Sequence, residues 1–142
     1  MSGRTVNVLL VEDNVIEQEA VRRAFKREHI GNPIITAVDG IEALALLRGG
    51  KGGVEALPRP YLILLDLNMP RMNGLEFLTE LRADPELRDS IVFVLTTSRS
   101  DEDRVASYNL NVAGYIVKSD VGAGFVRLLG LLDHYWRIVE FP

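Results

Sequence analysis

The hydrophobic pattern of the chain consists of short apolar runs separated by longer amphipathic stretches. The run at residues 61–65 is apolar without alternation, which indicates a strand buried on both faces, and Asp66 ends it. Further apolar runs predict strands at residues 6–11, 34–38, 91–95 and 112–117. Because a helix-like stretch follows each run, the chain is predicted to be an α/β protein with a doubly wound, five-stranded parallel sheet.

The predicted helices carry recognisable start signals. Asn14 with Glu17, and Ser100 with Asp103, have the spacing of an N-cap and a capping box. The residues of the first helix predicted to face the sheet are Ile16, Ala20, Val21, Ala24 and Phe25. After a turn at Asp39-Gly40, the later helices are predicted at residues 41–47, 75–81, 100–109 and 122–136.

A glycine-rich segment at residues 49–53 has a superficial likeness to a phosphate-binding loop. Lys51 is followed by Gly52 rather than by Ser or Thr, and no strand leads into the segment. We interpret it as a flexible loop.

Composition limits the classes of function. The chain has 142 residues, which suits one domain, and no linker or shift in composition marks a second. A net charge of −4 argues against binding to nucleic acid, and the lack of cysteine excludes disulfides and thiolate metal sites. Without a signal peptide or a membrane-spanning run, we expect a cytoplasmic protein that does not contact a membrane. The chain stops soon after the fifth helix, so we expect no output domain.

Polar side chains stand where the predicted strands end. Glu12 and Asp13 follow the first strand, Asp66 the third, Thr96 the fourth and Lys118 the fifth. Taken alone, Asp66 would be interpreted as a turn residue. The carboxyl ends of parallel strands share one edge of a sheet, however, so these five side chains are expected to converge there.

Such a group of residues has a definite chemistry. Three carboxylates repel one another unless a cation neutralises them, and a purely oxygen ligand set favours Mg²⁺ or Mn²⁺. Lys118 adds a fixed positive charge and Thr96 a hydroxyl donor. This set suits phosphoryl transfer to Asp66, because an aspartate is ionised at neutral pH and needs no general base.

The pattern resembles the receiver domain of two-component response regulators over nearly the whole chain. The resemblance rests on Glu12-Asp13, the segment Asp66-Leu67-Asn68-Met69-Pro70, Met72 with Gly74, Thr96 and Lys118. It implies a flavodoxin-like sheet of strand order 2-1-3-4-5 and a single receiver domain over residues 1–142. It also implies a signalling domain rather than an enzyme, in which Asp66 accepts a phosphoryl group from a histidine kinase.

The same resemblance implies further roles. Glu12, Asp13, Asp66 and the backbone carbonyl of Asn68 would hold Mg²⁺ or Mn²⁺. Thr96 and Tyr115 would form a switch pair that changes a surface on the fourth helix, fifth strand and fifth helix. From the residues alone, Tyr115 would be interpreted as an ordinary strand tyrosine.

One position departs from the receiver pattern. Ser119 follows Lys118, where the family usually has a proline joined by a cis bond. A trans bond is predicted here, because a cis bond before a residue other than proline costs about 2.5–4 kcal/mol. The turn into the fifth helix should therefore differ, and Lys118 should be held less rigidly, while the site keeps all its charged groups.

The C-terminal segment is more apolar than one buried helix face requires. One stripe, expected to face the sheet, consists of Phe125, Leu128, Leu129, Leu132 and Trp136. The residues predicted to make a homodimer contact, extended by the tail at residues 136–142, are Leu131, Tyr135, Trp136, Ile138 and Phe141. The alternative is that these residues cover the sheet edge within one chain.

This tail and the long loop at residues 48–59 resemble the single-domain response regulators that partner bacterial and cyanobacterial phytochromes. The resemblance implies a homodimer and a bacteriophytochrome as the sensor histidine kinase. His29 and His134 lie apart from the acidic site and are predicted to be solvated or simple packing residues.

Three alternatives are open besides a phosphoacceptor. A phosphohydrolase with an aspartyl-phosphate intermediate would need a second Asp where Asn68 stands. A flavin or nucleotide carrier would need phosphate donors where Glu12-Asp13 would repel a phosphate. A degenerate receiver that acts only as a protein-interaction module is favoured by Ser119 but opposed by the intact acidic set.

Overall fold

The sheet of the computed structural model is parallel throughout. The structure describes residues 6–49, 56–69, 71–97, 99–121, 123–124 and 127. The five strands are β1 (Asn7–Val11), β2 (Ile34–Ala37), β3 (Tyr61–Asp66), β4 (Ile91–Thr96) and β5 (Gly114–Val117). Their order in the sheet is β2-β1-β3-β4-β5, which confirms the predicted fold class and topology.

Helices cover both faces of this sheet. The described α-helices are α1 (Val15–Arg27), α2 (Gly40–Arg48), α3 (Gly74–Ala83) and α4 (Arg99–Tyr108). A 3₁₀ turn at Lys118–Asp120 follows β5 directly, and helical backbone continues at Val121. Most of the predicted fifth helix lies outside the described residues, as do all of the residues predicted to form a dimer contact. None of the described helices is both long and apolar enough to cross a membrane.

Two apolar layers explain why β3 is apolar without alternation. Leu9, Val11, Ile63 and Leu65 face α2, α3 and α4, where they join Leu44, Phe77, Leu78 and Val105. On the opposite face, Val8, Leu10, Leu62 and Leu64 pack against Val21 and Phe25 of α1. All six residues of β3 are buried, as a central strand with helices on both sides requires.

The strand register aligns the carboxyl ends of the strands. Val11 of β1 lies opposite Leu65 of β3. Asp66 lies opposite Leu95, and Thr96 lies opposite Val117. The residues that end β1, β3, β4 and β5 are therefore brought to one edge of the sheet.

Two details of the sequence interpretation are wrong. Ile16 and Ala20 were expected on the buried face of α1, but both are exposed, and Ile16 is 75% accessible. The helix begins at the polar edge of the sheet and reaches the core only from Val21 onward. Ser100 does not cap α4, because that helix already begins at Arg99 and Ser100 lies within its first turn.

Candidate functional site

Three carboxylates converge at the carboxyl edge of the sheet. Glu12 and Asp13 follow β1, and Asp66 is the last residue of β3. One oxygen from each lies within 4.8 Å of the others, with Glu12 and Asp66 buried and Asp13 exposed. The N-cap Asn14 holds the first helical turn beside them by accepting hydrogen bonds from the backbone N–H groups of Ile16 and Glu17.

Lys118 places a cation against this group of carboxylates. Its Nζ lies 3.2 Å from Asp66 Oδ1 and 3.4 Å from Glu12 Oε1, and its side chain is only 20% exposed. Glu17, in the first turn of α1, is a further partner at 3.9 Å. The sequence interpretation treated Glu17 only as a capping residue. Its position in the first turn of the helix that follows Glu12-Asp13 was the available signal.

Burial and mutual repulsion shift the protonation of these groups. Burial first, and then the nearby charge of Asp66, raise the pKa of Glu12 to about 7, although Lys118 and the backbone N–H of Asn14 oppose the shift. Burial alone would lower the pKa of Lys118, but Asp66 and Glu12 outweigh it and raise that pKa. The Lys118 ammonium is therefore held in its charged form. Glu12 takes up a proton more readily than an ordinary glutamate as long as no metal ion is bound.

The ligand set fits a hard divalent cation. Glu12, Asp13 and Asp66 offer only oxygen atoms, which suit Mg²⁺ or Mn²⁺. The raised pKa of Glu12, due to burial and then to Asp66, marks a carboxylate with too little positive charge around it. A divalent cation between these oxygens would supply that charge and favour the ionised form.

The loop between β3 and α3 carries Asn68, whose backbone carbonyl stands two residues beyond Asp66 at the same edge. The loop is closed by a hydrogen bond from the backbone N–H of Gly74 to the carbonyl of Leu67, 2.9 Å long. A Cβ atom on Gly74 would lie 2.7 Å from the Leu67 Cα and 2.8 Å from the Asp66 carbonyl oxygen. Glycine is therefore required here for the close approach of two backbones.

Asp39 is a buried polar residue near this loop whose role the sequence interpretation missed. It is the N-cap of α2, and its Oδ1 accepts a hydrogen bond from the backbone N–H of Glu42 at 2.9 Å. Its Oδ2 accepts from Arg71 Nε at 2.6 Å. Burial would raise the pKa of Asp39, but these hydrogen bonds hold it below its usual value. The dipeptide Asp39-Gly40, interpreted as a plain turn, was a helix-start signal.

Thr96 and Tyr115 lie on the neighbouring strands β4 and β5. Thr96 ends β4 and is buried at the polar edge of the sheet. Tyr115 of β5 lies opposite Val94 of β4. Its hydroxyl donates to the backbone carbonyl of Glu102 in α4 at 3.4 Å. Burial, together with Glu102 and Asp103, raises the pKa of Tyr115. The tyrosine therefore bridges β5 and α4.

The turn after Lys118 matches the prediction for Ser119. Arg59-Pro60 is the one cis peptide bond among the described residues, so the Lys118–Ser119 bond is trans, as predicted. The chain passes from β5 straight into the 3₁₀ turn. A cavity of about 190 Å³ between this turn and α1 opens onto Glu12, Glu17 and Lys118. The cavity therefore borders Glu12 and Lys118 on the α1 side of the site.

Comparisons with known proteins identify the family. The family described as "Response regulator receiver domain" matches residues 8–123. Response regulator Rcp1 of Synechocystis sp. is 38% identical over 129 residues, which cover 91% of this chain and 87% of that protein.

Solved structures give the same result. The bacteriophytochrome response regulator RtBRR is 37% identical, with a TM-score of 0.78 and coverage of 89% of this chain and 77% of that one. The phosphorylated cyanobacterial phytochrome response regulator RcpA is 34% identical, with a TM-score of 0.73 and coverage of 98% and 99%. The chain therefore belongs to the response regulator receiver domain family and is related to phytochrome response regulators.

Proposed function

We propose that this chain is a stand-alone response regulator that accepts a phosphoryl group on Asp66 from a sensor histidine kinase, in a Mg²⁺-dependent reaction. The observation that carries the proposal is that Asp66 contacts the Lys118 ammonium and also belongs to a cluster of carboxylates. Lys118 Nζ lies 3.2 Å from one of its oxygens. Together with the carboxylates of Glu12 and Asp13, Asp66 forms a cluster with one oxygen of each within 4.8 Å of the others, which fits a divalent cation.

Each residue has a role in the proposed transfer. Asp66 is the nucleophile, and its oxygen forms a bond to phosphorus as the phosphorus–nitrogen bond of the phosphohistidine breaks. Lys118 attracts a phosphoryl oxygen and orients it, and the hydroxyl of Thr96 donates to another. Glu12, Asp13 and the Asn68 carbonyl would hold Mg²⁺ or Mn²⁺ together with Asp66. Bound there, the metal would neutralise the charge on the phosphoryl oxygens. The protein promotes only its own phosphorylation and dephosphorylation.

The switch would start from the charge that the phosphoryl group adds. That group brings about −1.5 to −2 of charge and new acceptor oxygens to the end of β3. Thr96 would move toward it, and Tyr115 would follow into the space behind Thr96. The hydrogen bond from Tyr115 to the Glu102 carbonyl is long, at 3.4 Å, and therefore weak enough to exchange. The result would be a two-state surface on α4, β5 and the fifth helix.

The partners are proposed from the relatives. Several similar proteins are named as phytochrome response regulators, which supports a bacteriophytochrome as the cognate kinase. Rcp1 has also been described in an Mn²⁺-bound form, which supports the proposed metal. A homodimer is proposed through α4, β5 and the fifth helix, extended by the C-terminal segment at residues 136–142. Light scattering on a chain truncated before Trp136 tests it, and an unchanged mass would refute the role of the tail.

Intact-mass measurement tests the proposed phosphoacceptor. Native protein incubated with Mg²⁺ and a small phosphodonor should gain one phosphoryl group, and chelation of Mg²⁺ should prevent this. Asp66→Asn should gain none, whereas Asp89→Asn, an exposed aspartate at the far end of the molecule, should react like the native chain. The proposal fails if native protein gains no adduct with any phosphodonor or kinase.

A second function is favoured by Ser119, the one departure from the family pattern. A degenerate receiver would act only as a protein-interaction module, with its acidic site unused. The contacts of Lys118 with Asp66 and Glu12 oppose this reading. In the degenerate case, Asp66→Asn would leave partner binding unchanged with and without a phosphodonor.

A further inference from the structure

The junction between β2 and α2 holds the loop that carries Asn68 at two points. Asp39 Oδ2 accepts a hydrogen bond from Arg71 Nε at 2.6 Å. The backbone N–H of Gly40 donates to the Met72 carbonyl at 3.0 Å. A Cβ atom on Gly40 would lie 2.6 Å from Met72 Cγ, so the two segments are also packed against each other. The loop is thus joined to an element distant from it in sequence.

The contact between Asp39 and Arg71 is the strongest of these connections. The Asp39 side chain is 2% exposed and the Arg71 side chain 60% exposed. A buried carboxylate that loses its cation is left with an unpaired charge, which is costly. Arg71 also has a φ of 60°, in the left-handed region that residues other than glycine rarely adopt. The ion pair therefore helps to hold Arg71 in this left-handed backbone conformation.

The position of Arg71 connects this contact to the acidic site. The loop begins after Asp66 at the end of β3 and is closed by the hydrogen bond from the Gly74 N–H to the Leu67 carbonyl. At Arg71 it is attached to Asp39. Asn68 is exposed and lies between the fixed end at Asp66 and the tie at Arg71. Its carbonyl can point only where these two attachments allow.

We propose that Asp39 and Arg71 are positioning residues, which hold the loop so that the Asn68 carbonyl faces the divalent cation and thereby set the affinity of the site for it. The proposal rests on the metal site of the proposed function. It assigns the ion pair no contact with the metal, the phosphodonor or the phosphoryl group.

Electrostatics provides a test that a simple charge effect cannot imitate. If the two residues acted only through their charges, loss of the Arg71 cation would strengthen metal binding and loss of the Asp39 anion would weaken it. If they act by holding the loop, either loss must weaken metal binding. The double variant must then show no further loss, because the same contact is already broken.

Mn²⁺ titration of the metal-free protein, followed by electron paramagnetic resonance, measures this affinity directly. Arg71→Gln and Asp39→Asn should each bind Mn²⁺ about tenfold more weakly, the low end for groups that orient metal ligands. Asn at position 39 can still accept from the Glu42 N–H, so the cap of α2 is kept. The matched control is Arg48→Gln, which breaks the Arg48–Asp84 pair between the C-terminal ends of α2 and α3 and should leave affinity unchanged.

The outcomes separate the two proposals. Opposite shifts for Arg71→Gln and Asp39→Asn, or no shift in either, would overturn the positioning role while native protein still binds Mn²⁺. Native protein that binds no Mn²⁺ would overturn the proposed function and the positioning role together. Thermal unfolding by circular dichroism without metal checks that each variant is folded. If Asp39→Asn does not fold, Arg71→Gln decides through its sign, and Arg71→Lys should restore part of the affinity.

Discussion

Two cationic side chains at opposite edges of the sheet show how differently a positive charge can be used. At the carboxyl edge, Lys118 faces the carboxylates of Asp66, Glu12 and Glu17 at distances of 3.2–3.9 Å. At the amino edge, Arg82 instead contacts mainly backbone carbonyls, with the charge of Asp89 nearby. It donates to four carbonyls at 2.7–2.8 Å, those of Arg88, Ser90, Leu110 and Asn111.

The partners explain the difference in role. The guanidinium of Arg82 is planar and carries five N–H groups in fixed directions, so it can join the ends of α3 and the loops before β4 and β5 in one geometry. The ammonium of Lys118 is a compact point charge on a flexible stem, so it can exchange one anionic partner for another. The backbone carbonyls bound to Arg82 are fixed by the fold, whereas Lys118 can exchange a carboxylate partner for a phosphoryl oxygen. Arg82 therefore serves the fold, and Lys118 serves the proposed chemistry.

The largest expected effect is on the rate of phosphorylation and follows from loss of the Lys118 ammonium. Lys118→Met should slow phosphorylation of Asp66 by about 10²- to 10³-fold, the usual cost of one preorganised electrostatic group. The rate is measured by intact mass over time with a small phosphodonor and Mg²⁺. Lys26→Met, which removes an exposed lysine of α1, should react at the native rate. A native rate for Lys118→Met would contradict the role of the ammonium.

A smaller effect on a different quantity is expected at Arg82. Arg82→Met should lower the free energy of unfolding by about 3 kcal/mol, because two part-buried and two exposed carbonyls lose a charged donor. Denaturant unfolding measures this, with Arg23→Met on the exposed face of α1 as the control. Arg82→Lys keeps the charge but not the fork of donors and should recover only part of the loss. Full recovery would mean that charge, rather than geometry, matters at this edge.

The smallest effect concerns the pH dependence of the carboxyl edge. Burial, with help from Asp66, raises the pKa of Glu12 to about 7, so below that pH a proton competes with the metal. Mn²⁺ affinity should fall about tenfold for each pH unit below 7 and level off above it, since one proton is displaced. Calorimetric titration at several pH values measures this, and Glu12→Gln should remove the dependence.

The raised pKa of Glu12 has the opposite consequence for the stability of the metal-free protein, which should fall rather than improve as the pH rises toward 7. The folded protein binds the Glu12 proton more tightly than the unfolded chain, whose glutamate has the ordinary pKa of 4.5, because burial and Asp66 raise the folded value. The stabilisation from Glu12 is therefore complete below pH 4.5 and lost as the pH rises toward 7. Asp39 behaves in the reverse way. Hydrogen bonds outweigh burial to lower its pKa, so its contribution is lost only as the pH falls below the ordinary value of 3.8. The prediction for Glu12 would be refuted if the unfolding free energy of the metal-free protein rose from pH 5 to pH 7 relative to that of Glu12→Gln.

The sequence by itself determined the class of the fold and the residues gathered at the carboxyl edge. The unbroken apolar run before Asp66 predicts a doubly covered strand, and parallel strands must bring their carboxyl ends to one edge. These are local patterns joined by a general rule of topology. They are enough to bring Glu12, Asp13, Asp66 and Lys118 to one edge of the sheet.

Only the tertiary structure decided which distant residues contact one another around that edge. The pairing of Asp39 with Arg71, and of Arg82 with the loops before β4 and β5, joins residues separated along the chain by whole elements. No periodicity encodes such contacts, because they depend on how far each helix extends past the sheet and how each loop turns. The exposure of Ile16 has the same origin, since the sequence shows the amphipathic face of α1 but not the point at which the helix meets the core.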